Sequence, residues 1–227
     1  MTVRCPRRRV FHVHRPAFYY TEDSVRGIET AVARGFPWID LDCQVTADGV
    51  LVVAHGPRPL SWRLTGGFED PGCDLSGRRP HVVSLTDCPE VTRRDRFEDL
   101  TWAQVSRLRS TRPGVDGRPY RIRRADELVP IALKKGLRVE LEVKSSKITQ
   151  AQLAAIGDVP AFKQKGVSLW DVQVKGFPKF LPALLAAHRA GYTTIALTHP
   201  GQRHLPTSAR PCIDMFRGMT PIWDQSR

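Results

Sequence analysis

Apolar and polar positions along the 227-residue chain follow two alternating rhythms. Runs rich in Val, Ile and Leu, several with a two-residue period, predict strands at residues 10–14, 38–45, 50–55, 137–144, 167–174, 192–198 and 212–216. Apolar residues spaced three and four apart predict helices at 25–34, 101–108, 125–135, 149–156 and 181–190. Ser24 is a cap for the first helix, and Gly35, Gly136 and Gly191 each stand just past an expected helix end. Ala47-Asp48-Gly49 supplies a tight turn. Strands separated by helices imply βα units, and seven of them imply an α/β fold, a (β/α)8 TIM-type barrel one strand short at its C-terminus. Residues 56–98, rich in Gly, Pro, Arg and Asp, form one long irregular loop of a length that usually carries function. With no internal repeat and no low-complexity linker, a single domain over residues 1–227 is expected.

Composition narrows the class. Hydrophobic residues at 41% and charged residues at 26% are those of a folded globular chain. No stretch approaches the roughly 18–20 apolar residues of a membrane span. The basic N-terminus has no apolar run behind it, so a cytoplasmic location is expected. Five cysteines without a C-x-x-C pair point to free thiols. The formal charge is +12, but arginines and lysines are scattered and interleaved with acids. A nucleic-acid module would show a basic stripe with interleaved aromatics, so nucleic acid is not expected as the main partner. The surplus charge instead suits anionic small molecules.

Polar clusters at the strand ends supply the chemistry. His12 and His14 share a face of the first expected strand, which Arg15-Pro16 terminates. Asp40 and Asp42 share a face of the second, where two carboxylates make sense around a cation. His55 closes the third, and Glu140, Glu142 and Lys144 share a face of the fourth. In a barrel these ends meet at one mouth. Hard oxygen donors favour Mg²⁺ or Ca²⁺ over zinc. Histidines on separate strands suit a general acid and a general base, and Arg and Lys balance a phosphate. Metal-assisted cleavage of a phosphate ester fits this set best.

These residues resemble the glycerophosphodiester phosphodiesterases. The matching stretches are His14-Arg15-Pro16, Glu22-Asp23-Ser24, Asp40-Leu41-Asp42, Thr46-Ala47-Asp48-Gly49, His55-Gly56 and Glu142-Val143-Lys144. Arg63-Leu64-Thr65-Gly66-Gly67 and Asp99-Leu100-Thr101 are similar to further family elements, and the likeness spans about residues 9–145. The resemblance implies a TIM-barrel hydrolase that cleaves small-molecule glycerophosphodiesters to an alcohol and glycerol phosphate. It implies His14 and His55 as the acid–base pair, Asp40, Asp42 and Glu142 as ligands of Mg²⁺ or Ca²⁺, and Arg15 and Lys144 as contacts of the phosphate or of the carboxylates that hold the metal.

The chain departs from the family pattern at Asp23-Ser24 for Asn-Thr, which still offers caps, and more sharply at Pro16 for Gly, Asp40 for Glu, and Gly56 for Asp. Pro16 removes a backbone N–H, and Asp40 shortens the ligand's reach by a methylene. These departures motivate one alternative, a phosphodiester-binding protein of the same fold that has lost turnover. His55-Gly56 also resembles the phospholipases D of spider venom, which makes action on lysophospholipids a second.

Overall fold

The structure is a computed structural model that describes residues 25–54, 56–59, 83–84, 90–92, 94–110, 121–157, 171–198, 208–209, 213 and 215–218. The strand expected at residues 10–14 and most of the 56–98 loop lie outside the described residues. The elements run α1 (Val25–Ala33), β1 (Trp38–Val45), β2 (Leu51–Val53), β3 (Val83–Ser84), α2 (Trp102–Val105), β4 (Arg109–Ser110), β5 (Arg123–Arg124), α3 (Ala125–Lys134), β6 (Arg138–Val143), α4 (Gln150–Gly157), β7 (Val172–Gly176), α5 (Leu181–Arg189), β8 (Thr193–Thr198) and β9 (Met215–Gly218). Among the described residues, no helix is long and apolar enough to cross a membrane.

Helix α3 shows how sequence spacing becomes packing. Its buried residues are Ala125, Leu128, Val129, Ala132 and Leu133, the three-and-four spacing of a single core-facing stripe. Asp126 and Glu127 in its first turn and Lys134 in its last complement the helix dipole. Three helices end in the same way. The glycine after each cap (Gly35, Gly136 and Gly191) has a positive φ, which L side chains adopt only with strain. Its N–H returns to a carbonyl of the last turn, and the next N–H returns one residue further back: Gly136 to Leu133 and Leu137 to Ala132, Gly35 to Val32 and Phe36 to Ala31, Gly191 to His188 and Tyr192 to Ala187. A strand begins two or three residues later in every case.

Those strands assemble into one seven-stranded sheet in the order β5-β2-β1-β6-β7-β8-β9. The five strands from β1 to β9 in that order are mutually parallel, with Asp42 level with Glu142 and Glu142 level with Lys175. This is the wall of a TIM-type barrel, and among the described residues it is open. One face is covered by helices. Ile39, Leu41, Cys43, Val139, Leu141, Val143, Val172 and Val174 pack there with Ile28, Leu128, Leu153 and Leu184. Tyr192 Oη, also buried, donates to Leu153 O at 2.8 Å and ties α4 to the start of β8.

The stretch 50–55 is a correction to the expected strand count. β2 pairs antiparallel with β1, Cys43 opposite Val53 and Val45 opposite Leu51, so it is the return arm of a hairpin and not one of the parallel strands. The parallel neighbour of β1 is β6. A turn of a few residues cannot connect parallel strands, which need a crossover of a dozen or more. The expected helix at 101–108 shortens to α2, four residues. The strand expected at 167–174 appears as Val172–Gly176, and that at 212–216 as Met215–Gly218.

The β1–β2 turn is tied to α2. Thr46 Oγ1 donates to Asp48, and Val50 N donates to Thr46 Oγ1 at 2.9 Å. The Asp48 carboxylate accepts the N–H of Trp102, at 2.9 and 3.1 Å to its two oxygens, at the first residue of α2. Burial alone would raise the Asp48 pKa, but the bonds from Thr46 and Trp102 outweigh it and hold it below its ordinary value. The Asp48→Ala variant is expected to lose about 1 kcal/mol at neutral pH, the usual net worth of a hydrogen bond. A depressed carboxyl stabilises the fold above its ordinary pKa and loses that contribution as the pH falls, so the gap between variant and wild type closes in acid. Urea midpoints at neutral and acidic pH check both points, and equal midpoints at neutral pH would refute the tie.

Candidate metal centre

Opposite the helix-covered face, the same strands carry charge. The two-residue period turns Asp40 and Asp42 of β1, Glu140 and Glu142 of β6, and Lys175 of β7 away from the apolar core. All five are nonetheless at least 96% buried. Parallel register sets them side by side: Asp40 beside Glu140, Asp42 beside Glu142, and Lys175 beside Glu142. One carboxylate oxygen from each of Asp40, Asp42 and Glu142 lies within 4.8 Å of the other two. That is the compass of a single cation with hard oxygen ligands.

Two lysines answer the four acids. Lys144 Nζ bonds to Glu142 and lies 3.1 Å from Asp42 Oδ1. Lys175 Nζ bonds to Asp40 Oδ2 and lies 3.4 Å from Glu140 Oε2 and 3.5 Å from Glu142 Oε2. With every group ionised, these six side chains carry a net charge of two negatives, the complement of a divalent cation. Burial, then the adjacent Asp42, push the Glu142 carboxyl upward, and the two lysines offset this only in part. Burial would lower both lysines. Asp42 and Glu142 around Lys144, and Asp40 with Glu142 and Glu140 around Lys175, more than offset it and keep both protonated.

The loop after β6 is fixed by a smaller polar network. Ser145 Oγ donates to Glu98, Lys147 Nζ lies 3.0 Å from Glu98 Oε2, and Lys147 N donates to Ser145 Oγ at 3.1 Å. Burial alone would raise Glu98, but Ser145 and Lys147 hold it below its ordinary value. Glu98 belongs to the 3-10 turn Phe97–Asp99, so this network anchors the backbone just past Lys144.

Of the residues singled out in the sequence, the structure brings Asp40, Asp42, Glu142 and Lys144 together. His14, Arg15 and His55 lie outside the described residues, as do His12, Pro16 and every cysteine except buried Cys43. Ala54 N donates to the main-chain carbonyl of Asp42 at 2.8 Å, which continues the β1–β2 ladder to Ala54. Lys175 is the residue sequence reasoning missed. The strand expected at 167–174 stopped one residue short of it, although Gln173 and Lys175 share a face by the same period that aligned Glu140 with Glu142.

The fold and site together are those of a TIM-type (β/α) barrel, open among the described residues, with a carboxylate centre on the inner face of its parallel strands. The chain belongs to the glycerophosphoryl diester phosphodiesterase family, whose model matches residues 14–175. A comparison with curated proteins gives no significant match. Among solved structures, an Oleispira antarctica phosphodiesterase in complex with the product sn-glycerol-3-phosphate superposes with a TM-score of 0.55 at 14% identity, covering 88% of this chain and 68% of that one. A Silicibacter pomeroyi protein, assigned to the glycerophosphoryl diester phosphodiesterases, superposes with a TM-score of 0.54 at 18% identity, covering 88% and 66%. The chain thus spans about two thirds of the length of these structures, and at such identities the likeness is one of fold.

The raised Glu142 carboxyl has a measurable sign. The folded state keeps a proton that the unfolded chain releases, so in chelator stability falls as the pH rises through and above the ordinary glutamate range. Glu142→Gln lacks that titration and is expected to show a flatter profile. Urea midpoints of both proteins across that range check this, and parallel profiles would refute it.

Proposed function

We propose that the chain is a metal-dependent phosphodiesterase that hydrolyses glycerophosphodiesters to an alcohol and glycerol phosphate. The observation that carries this reading is the buried convergence of Asp40, Asp42 and Glu142 in a chain of this family. The donor set fits the group the family implies: three hard carboxylates, buried, within a cluster two positive charges short of neutrality. These residues would hold Mg²⁺ or Ca²⁺. A cation bound there supplies Lewis-acid polarisation of a phosphoryl oxygen.

The remaining roles belong to side chains around that centre. His14 and His55 are assigned as the acid–base pair, one taking the proton of the attacking hydroxyl and the other protonating the leaving alcohol. Arg15 and Lys144 are assigned to the phosphate. Lys144 is the more exposed of the two lysines, 12% against 6% for the side chain, which favours it over Lys175 as a phosphate contact. The product bound to the Oleispira antarctica enzyme, sn-glycerol-3-phosphate, motivates glycerol phosphate as the product here.

Hydrolysis of a panel of glycerophosphodiesters and lysophospholipids tests the proposal. Activity is expected to need a divalent cation, to vanish in chelator and to return with Mg²⁺ or Ca²⁺. His14→Ala and His55→Ala are each expected to lower kcat by about a hundredfold or more, the usual worth of a positioned acid or base. Asp42→Asn is expected to lose both activity and the cation requirement's saturation at ordinary concentrations. Full activity in both histidine variants would sink the mechanism, and tight binding without product would favour the reading in which turnover has been lost.

A further inference from the structure

Lys175 has no counterpart among the motifs that carry the resemblance, yet it sits in the middle of the cluster. Its ammonium touches Asp40 and Glu142, two of the three carboxylates that converge, and Glu140 besides. It reaches them from β7, whose register places it beside Glu142, and its side chain is only 6% exposed. The backbone behind it is tightly fitted. A Cβ at Gly176 would stand 2.7 Å from Val143 Cγ2, so β7 lies close against β6 at this level. Lys144 differs in place: it meets Asp42 and Glu142 from the end of β6, and its side chain is 12% exposed.

We propose that Lys175 is a resident counter-ion of the metal centre, which shares the carboxylates with the divalent cation and thereby sets how tightly that cation binds. The proposal rests on the metal-dependent reading above. The physical basis is competition for the same negative charge. In a buried site two like charges a few ångströms apart repel strongly, because little water screens them. A fixed ammonium bonded to Asp40 and near Glu142 therefore lowers the affinity those groups offer a metal. It also holds the cluster together when no metal is bound, since four carboxylates with Lys144 alone would carry three uncompensated charges. The arrangement trades affinity for a fold that forms before the metal arrives.

A purely structural lysine would lose stability on removal without changing the intrinsic affinity of the site. The competing role predicts that both change, in opposite directions. Isothermal titration of the full chain with Mg²⁺ and with Ca²⁺, at a pH of about 8 so that protons do not occupy the freed carboxylates, separates the two. Lys175→Met is expected to tighten the metal Kd about tenfold or more while lowering the thermal midpoint in chelator. Lys175→Arg, which keeps the charge, is expected to bind metal as the wild type does. Lys175→Gln, which keeps a hydrogen-bond donor for Asp40 but no charge, carries the same expectation as Lys175→Met and serves if the methionine variant does not fold. Unchanged or weaker metal binding in the neutral variants overturns the proposal, and so does failure of both to fold even with saturating metal. If the wild type itself binds neither metal, the metal-dependent reading fails first and takes this proposal with it.

Discussion

Four carboxylates buried on one face of a parallel sheet are the constraint on which this structure depends. Barrel interiors are ordinarily packed with branched apolar side chains. Here Asp40, Asp42, Glu140 and Glu142 occupy such positions and must be compensated where they stand, because unpaired buried charge is costly. Compensation requires that opposite charges arrive at one level from different strands. The parallel register of β1, β6 and β7 achieves this, and the apolar face beneath, shared with α1, α3, α4 and α5, keeps the register from slipping. The hydrophobic core and the polar centre are two sides of the same strands, and neither is arranged without the other.

Around that constraint the loops have distinct tasks. The Thr46-Ala47-Asp48-Gly49 turn, similar to a family motif, contributes no group to the charged cluster. It folds β2 back along β1 and ties the hairpin to α2 through Trp102. The Ser145–Glu98–Lys147 network does the same beyond β6, holding the backbone next to Lys144. Motif residues in one family thus divide into those that bear the chemistry and those that fix the backbone on either side of it.

Much of this was legible in the sequence. Strict alternation in Ile39-Asp40-Leu41-Asp42 and Val139-Glu140-Leu141-Glu142 marked both the strands and the face that bears the carboxylates, since period two is enforced by the pleat. Glycines after the helices marked their ends. The direction of β2 was less legible, because Leu51-Val52-Val53-Ala54 is uniformly apolar and carries no alternation. The brevity of the turn before it was the available signal. Lys175 was hidden for a different reason. Its partner Asp40 is 135 residues away, and only the assembled sheet brings the two together. A lysine at the end of a short strand, followed by Gly-Phe, reads locally as a solvent-facing residue.

The glycine-capped helix ends also govern phase. From Gly136 the chain reaches Arg138 and enters β6 with no freedom to spare, so Glu140 and Glu142 face one way because of how many residues separate them from that cap. One residue gained or lost at the junction would turn them to the other face, setting carboxylates against the helices and an apolar side chain beside Asp42. The chemistry of the centre is therefore encoded partly as a length, in a junction that contains none of its charged groups. Gly136 is held in that junction by its positive φ, and the residue count there can change only in steps that restore the alternation.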